Sequence, residues 1–297
     1  MTLRLATRRS PLALAQADAV ARRLGASGVA CAIVPVETTG DRDRTSALSA
    51  LGGQGVFAVE VQRAVLEGRA DVAVHSAKDL PSASPEGLTL ACVPERRDPA
   101  DVLVGRTLAG LGPGATVATG SPRRRALLLE RRPDLRVVGL RGNMATRLGA
   151  PGHDGVDAVV AAAAALERLG AEPAVVERLD PGWFVPQVGQ GALALETRED
   201  DRAARAALAG IDDTLAHRAL LAERAFLAEL GAGCAVPVGA HATAHAGDLE
   251  IAGVMLDPDG ARSARASRRG ADPVALGRDL ARHLRDDLGG GAFAAVR

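Results

Sequence analysis

Short apolar runs alternate with amphipathic stretches over the first two thirds of the chain, the pattern of strands covered by helices in an α/β protein. Leu3 to Thr7 reads as a strand, Pro11 to Leu24 as a helix and Ala30 to Thr38 as a strand. Val56 to Glu67 reads as a helix stopped by Gly68, and Asp71 to Ser76 as a strand. A second set opens near Asp101, with strands Asp101 to Gly105 and Ala115 to Thr119, a helix Pro122 to Arg132 and a strand Leu135 to Leu140. A strand-helix run from Asp157 to Gly170 follows, then a strand Leu193 to Thr197 and a helix Arg202 to Ala209. The tail differs in kind. A long helix Thr214 to Leu230 ends at Gly231, strands Val238 to Ala246 and Leu249 to Leu256 flank a Gly-Asp turn, and one more strand precedes a helix from Pro273. The pattern predicts two α/β lobes and a small α+β third domain.

One echo within the chain bears on function. Ala6-Thr7-Arg8-Arg9-Ser10-Pro11 and Ala118-Thr119-Gly120-Ser121-Pro122-Arg123-Arg124 both put Ala-Thr at a strand end, then serine as N-cap and proline at the first helical position. Each presents free backbone N–H groups, a hydroxyl and arginines at a helix N-terminus, an arrangement suited to anions. Two ordinary helix starts with solvated arginines would look the same.

The segment DVAVHSAKDLP, Asp71 to Pro81, delivers His75, Ser76, Lys78 and Asp79 from a strand into a turn, where a scaffold fixes side chains that a ligand can reach. Lys78 beside Asp79 suits both holding that carboxylate ionised and binding a ligand carboxylate; a surface ion pair is the plainer alternative. His75 is equally a core histidine. Arg123, Arg124, Arg141 and Arg147 come from separate segments, and forked guanidinium groups suit a ligand with many carboxylates. Arg131, Arg132 and the arginines of the tail read as solvated.

Cysteine adds a second focus. Cys31 and Cys92 sit in apolar strands as core residues, whereas Cys234 lies in Gly231-Ala-Gly233-Cys234-Ala-Val-Pro237, where small neighbours leave a thiol room for an attached group. On local sequence alone it is just as well an incidental cysteine in a helix-ending turn. No CxxC spacing suggests zinc, and His241 and His245 lack partners in register, so no metal is expected.

Composition narrows the class. The 297 residues, 47% hydrophobic, suffice for two or three cored domains, while aromatics at 2% leave few platforms for stacking nucleic-acid bases. Basic and acidic residues balance at 36 each, so no global field favours nucleic acid or an anionic membrane. Lys78 is the sole lysine; the other 35 basic residues are arginine. The N-terminus lacks the pattern of a secretory signal and no apolar run is long enough to span a bilayer, so a cytoplasmic protein is expected.

Taken together, ATRRSPLAL, DVAVHSAKDLP, TGSPRRR, RGNMATRL, ALERLG, VGQGALALE and GAGCAVPVG resemble, in order and spacing, the signatures of the hydroxymethylbilane synthase (porphobilinogen deaminase) family. The resemblance implies two periplasmic-binding-protein-like lobes around a cleft, 1–96 with 190–211 and 97–189, and a C-terminal domain, 212–297, carrying a cofactor cysteine. It implies a dipyrromethane in thioether linkage to Cys234 and Asp79 as catalytic carboxylate. Lys78, Ser76, Thr119, Ser121, Arg123, Arg124 and Gly142 would bind the cofactor, and Arg8, Ser10, Arg141, Arg147, Arg168 and Gln190 the substrate. The implied reaction takes porphobilinogen through loss of ammonia to an electrophile attacked by the terminal pyrrole, four times over, before release by hydrolysis. A monomer is expected, with porphobilinogen as its small-molecule partner. Gln54 stands where many relatives carry lysine, Glu167 where a basic residue is frequent, and Gly120 and Pro122 where serine and leucine are frequent. A two-lobed anion-binding protein without catalysis, or a thiol enzyme using Cys234 as nucleophile, are the rival readings.

Overall fold

The computed structural model describes residues 2–38, 55, 57–231 and 237–293. Strand β1 (Thr2–Arg8) leads into helix α1 (Pro11–Ala26), then β2 (Ala30–Val36), helix α2 (Val59–Leu66), β3 (Val72–Ser76) and β4 (Leu88–Cys92). Ser10 caps α1 by accepting from Ala13 N, and Pro11 sets its first turn. Residues 93–100 then carry the chain to β5 (Asp101–Val104), followed by β6 (Thr116–Ala118), α3 (Pro122–Arg131), β7 (Arg136–Val138), α4 (Met144–Leu148), β8 (Ala158–Ala162), α5 (Ala163–Leu169) and β9 (Val176–Arg178). A second crossover, 179–192, returns it to β10 (Leu193–Arg198) and α6 (Arg202–Ala209).

The two lobes repeat one sheet plan. The first has strand order β2-β1-β3-β10-β4 and the second β7-β6-β8-β5-β9. In each, three parallel strands are followed by an antiparallel strand reached through a crossover, β10 in one sheet and β5 in the other. The C-terminal ends of the parallel strands therefore face the same crevice, where ligands of open α/β sheets bind. The first sheet is packed by Leu3, Leu5, Val72 and Val74 against Val20 and Leu24 of α1, and by Ala6 and Ala73 against Val61 and Val65 of α2.

Helix α7 (Thr214–Leu230), the antiparallel sheet of β11 (Val238–His245), β12 (Asp248–Leu256) and β13 (Ser263–Gly270), and helix α8 (Pro273–Arg282) form the third unit. It shares its packing with both lobes: Val254 and Leu256 join the lobe-two core of Leu103, Leu127 and Phe184, while Ala216 and Leu220 pack on Ala77, Leu80 and Ala192.

Several boundaries shift from the sequence expectation. The apolar strand expected at Cys92 is β4, whereas strand β9 and the short helix α4 were not anticipated: β9 is three residues long with Val176 and Arg178 exposed, so it carries no apolar period. The expected helix start at Val56 lies outside the described residues; α2 itself begins at Val59.

At the crossover, Gly189 and Gly191 have φ of 74° and 84°. A Cβ on Gly191 would sit 2.4 Å from Arg97 O, on the other crossover segment, and one on Gly189 would sit 2.8 Å from the Ala77 carbonyl carbon. The two crossovers and the Lys78 turn can pass this closely only without side chains there. Gly191→Ala should therefore lower stability by about 3 kcal/mol, from backbone strain plus a clash with backbone that cannot move aside. Gly28→Ala, at φ 80° in open space, should cost only about 1 kcal/mol. Thermal unfolding of the two variants checks the difference.

Candidate active site

Lobe one contributes the ends of β1 and β3. Arg8 lies over the Phe57 ring at 3.8 Å, and Ser10 is occupied as an acceptor by its own helix cap. Ser76 and Gln16 exchange hydrogen bonds, Gln16 Nε2 donating to Ser76 Oγ at 2.7 Å and Ser76 Oγ donating back to Gln16 Oε1 at 3.1 Å. Residues 77–79 form one 3₁₀ turn that lifts Lys78 and Asp79 off the strand end. Arg8, Ser10, Gln16, Phe57, Ser76 and Asp79 line a small open cleft. Among the described residues the Asp79 carboxylate has no hydrogen-bond donor of its own. Lys78 is brought down to about 8, by burial first and then by Arg124, against the opposing pull of Asp79 and Asp101.

Lobe two supplies the second helix start. Ser121 caps α3 by accepting from Arg124 N, and Thr119 Oγ1 accepts from Ser121 N at 3.2 Å. A Cβ on Gly120 would meet Leu140 O at 2.8 Å, which is why a serine does not fit here. Arg123 and Arg124 follow, but their forks turn inward. Asp101, with no exposed surface, accepts from Arg123 Nη2 at 2.7 Å and from Arg124 Nε at 3.0 Å. Arg123 also donates to Val185 O at 2.6 Å and is 3% exposed, so the ligand contact expected of it is not available to its guanidinium. Arg124 donates to Val160 O at 2.9 Å but stands close enough to Lys78 to repel it. Burial pushes the Asp101 carboxyl up and the two arginines more than reverse this, to about 2.

The remaining candidates divide in the same way. Arg141 is exposed, with no side-chain partner among the described residues. Gly142 adopts φ 104° against Thr146, and Arg147 Nε donates to its carbonyl at 3.0 Å. Burial lowers the Arg147 pKa, with Arg124 adding to the fall and the attraction of Asp79 opposing it. Arg168 Nη2 donates to Gly191 O at 2.8 Å, and burial brings its pKa to about 10. Glu167 pairs with Arg97 at 3.1 Å, a local use for the acid at that position. Gln190 has no exposed surface, so its side chain cannot make the substrate contact expected of it. Arg132, expected to be solvated, donates to Leu108 O and Leu111 O, and Arg131 lies over Trp183. Cys234 and Gln54 lie outside the described residues. Burial raises the thiol pKa of both Cys31 and Cys92, keeping them protonated.

Three buried carboxylates were missed from sequence. Besides Asp101, Glu223 of α7 accepts from Arg96 at 2.6 Å, Gly189 N at 2.7 Å and Ala242 N at 2.8 Å, with His241 Nδ1 at 3.3 Å. Glu196 of β10 accepts from Gln62 at 2.7 Å and Ser84 at 2.6 Å, and His75 Nε2 lies 3.3 Å away. Burial drives both upward, yet the donors bring each to about 2. The available signal was an acid inside an otherwise apolar run, as in DVLV, LALETR and LLAERAFL.

The chain was compared with known proteins. A family model described as "Porphobilinogen deaminase, dipyromethane cofactor binding domain" matches residues 3–206, and one described as "Porphobilinogen deaminase, C-terminal domain" matches 217–286. A porphobilinogen deaminase of Roseiflexus sp. (strain RS-1) is 46% identical over 301 residues, covering 99% of each chain. Those of Acidothermus cellulolyticus and Rubrobacter xylanophilus are 46% and 45% identical, covering 96% and 99% of this chain and 88% and 97% of theirs. Among solved structures, an ABC transporter periplasmic substrate-binding protein from Coxiella burnetii aligns with 74% of this chain and 94% of its own, at 14% identity and a TM-score of 0.44. That likeness is distant, and the family matches stand without it.

Removing one partner of a buried pair strands the other charge. Arg124→Leu should therefore destabilise the fold by about 3–5 kcal/mol as well as impairing the site, which urea unfolding measures. The three carboxylates also fix an acid limit. Their folded pKa values near 2 lie below the unfolded values of about 4, so their contribution is complete above about pH 4 and is lost as pH falls toward 2. The urea midpoint should drop through that window, and Asp101→Asn should flatten the drop.

Proposed function

Since this chain belongs to the porphobilinogen deaminase family, we propose that its cleft holds pyrrole carboxylates with cations from both lobes, with Asp79 as the catalytic carboxylate and Cys234 as the attachment point of the cofactor. The activity is that of hydroxymethylbilane synthase, a transferase that deaminates four porphobilinogen molecules and joins them head to tail for tetrapyrrole and haem biosynthesis. Dipyrromethane is its cofactor; when bound it supplies the primer pyrrole from which the chain is extended.

The donor set fits such a group. A dipyrromethane carries carboxylates on both rings; Lys78 and Arg147 each lie within electrostatic reach of Arg124 and Asp79, exposed Arg141 precedes Gly142 on the loop leading to Arg147, and two serine-capped helix starts add free N–H groups. Lys78, Ser76, Thr119, Ser121, Arg124 and Gly142 would hold the cofactor; Arg8, Ser10, Arg141, Arg147 and Arg168 would take the acetate and propionate groups of substrate and growing chain. Burial raises the thiol pKa of buried Cys92 and of half-buried Cys31, which favours Cys234 as the reactive one.

The observation that carries the role of Asp79 is its lack of a donor among the described residues. Asp101, Glu196 and Glu223 are each satisfied by protein groups, while Asp79 lines the cleft beside Lys78, within the electrostatic reach of Arg147. A carboxylate in that state can accept the N–H of a pyrrole as it turns cationic on loss of ammonia, and can take the proton released when two rings couple. A cytoplasmic monomer completes the reading, in keeping with a biosynthetic activity on a small-molecule substrate; no helix among the described residues is long and apolar enough to cross a membrane.

Two variants test these assignments. Intact-mass measurement of Cys234→Ser should show protein without the dipyrromethane mass; an adduct retained there would refute the attachment point. Asp79→Asn, assayed on protein shown by mass to be loaded, should turn over at least about a hundredfold more slowly with a much smaller change in KM. Turnover within about tenfold of the parent would make that carboxylate structural.

A further inference from the structure

Lys78 and Arg124 come from opposite lobes, and Gln190 stands between them. It lies in the second crossover, between Gly189 and Gly191, with no exposed surface. Its Nε2 spends both hydrogens, one on Pro99 O at 2.7 Å and one on Asp101 Oδ1 at 3.0 Å. The orientation of the amide is thereby fixed, and Oε1 must face the other way, where it accepts from Lys78 Nζ at 3.4 Å. The backbone is spent too: Gln190 N donates to Gln187 O, and Gln190 O accepts from Arg96 Nε at 2.9 Å. Nothing polar on this residue is left for a substrate.

Asp101, the acceptor of that amide, also anchors the Arg124 fork. A continuous series of contacts therefore runs from Lys78 in lobe one through Gln190 in the hinge and Asp101 to Arg124 in lobe two. Something must hold the two cations, because they repel each other and a lysine ammonium on four flexible carbons has no fork to orient it. We propose that Gln190 is a positioning residue that registers the Lys78 ammonium against the Arg124 guanidinium, so that the two lobes offer their cations to one ligand at a set spacing. The inference rests on the reading of Lys78 and Arg124 as carboxylate binders. Besides Arg96, which is held on the Gln190 carbonyl and on Glu223, the charged groups around this series are Asp79, Arg123 and Arg147, on the 3₁₀ turn, α3 and α4. None of them substitutes for the amide: Asp79 makes no hydrogen bond to Lys78, Arg123 repels it, and Arg147 is repelled by Arg124.

The sequence makes the test direct. With one lysine in the chain, holoenzyme labelled with ¹³C at the lysine ε carbon gives a single side-chain NMR signal, from Lys78. Gln190→Met keeps length and removes the amide; the signal should move, and KM for porphobilinogen should rise about tenfold, as for loss of one charge-assisted hydrogen bond, with kcat of loaded protein within about threefold. A purely structural role would lower Tm and leave the signal in place, and that result overturns the proposal. Gln190→Asn, which is smaller and withdraws the amide from Lys78, should displace the signal in the same way if the methionine variant does not fold. Lys78→Met separates the two claims. Parental KM and cofactor loading there remove the clamp reading and this inference with it; impaired KM there, with an unmoved lysine signal in Gln190→Met, removes the positioning role alone.

Discussion

A carboxylate cut off from water is tolerable only when donors surround it, and Asp101 meets that requirement with two neighbouring arginines and a glutamine, drawn from two parts of the chain. Because those donors arrive from the first turn of α3 and from the crossover at Gln190, satisfying one buried charge fixes a helix start, a strand start and the hinge together. The cost of leaving Asp101 unmatched is what keeps Arg123 and Arg124 turned inward. The cleft inherits its geometry from this cluster.

Glu223 plays the corresponding part for the third domain. It sits on α7, yet its donors include Arg96 of the first crossover, Gly189 N of the second and Ala242 N of β11. The segment 232–236, which contains Cys234, joins α7 to β11, so its two anchor points are tied by one carboxylate to the strands that connect the lobes. Glycines at 189 and 191 make the arrangement possible, since any Cβ there would collide with the neighbouring backbone.

The cations of the cleft thus fall into two groups. Arg123, Arg96 and much of Arg124 are spent on buried acids, and Arg168 on a hinge carbonyl. Lys78, Arg141 and Arg147 keep capacity for a ligand that brings its own carboxylates, and among the described residues Asp79 has no hydrogen-bond donor of its own. A site whose charges are completed only by such a ligand is suited to a chain that gains carboxylates with each added pyrrole.

The sequence alone determined the elements and the outline of the site. Helices Arg202–Ala209 and Thr214–Leu230 fall where the apolar period placed them, and the serine-proline starts at Ser10 and Ser121 are capped as that spacing requires. Such features are local, set by residues within a turn or two of one another. The strand β9 was not legible, because a three-residue strand with exposed ends acquires its identity from pairing with β5 far along the chain. Nor could an arginine beside a helix start reveal whether its fork faces a ligand or a buried acid. Arg123 and Arg141 look alike in sequence, and only the tertiary structure, by bringing Asp101 under α3, sealed the first and left the second exposed. Gln190 changed from a presumed substrate contact to a buried link for the same reason: hydrogen-bond partners 89 and 112 positions away in the chain are set by how the lobes close on each other.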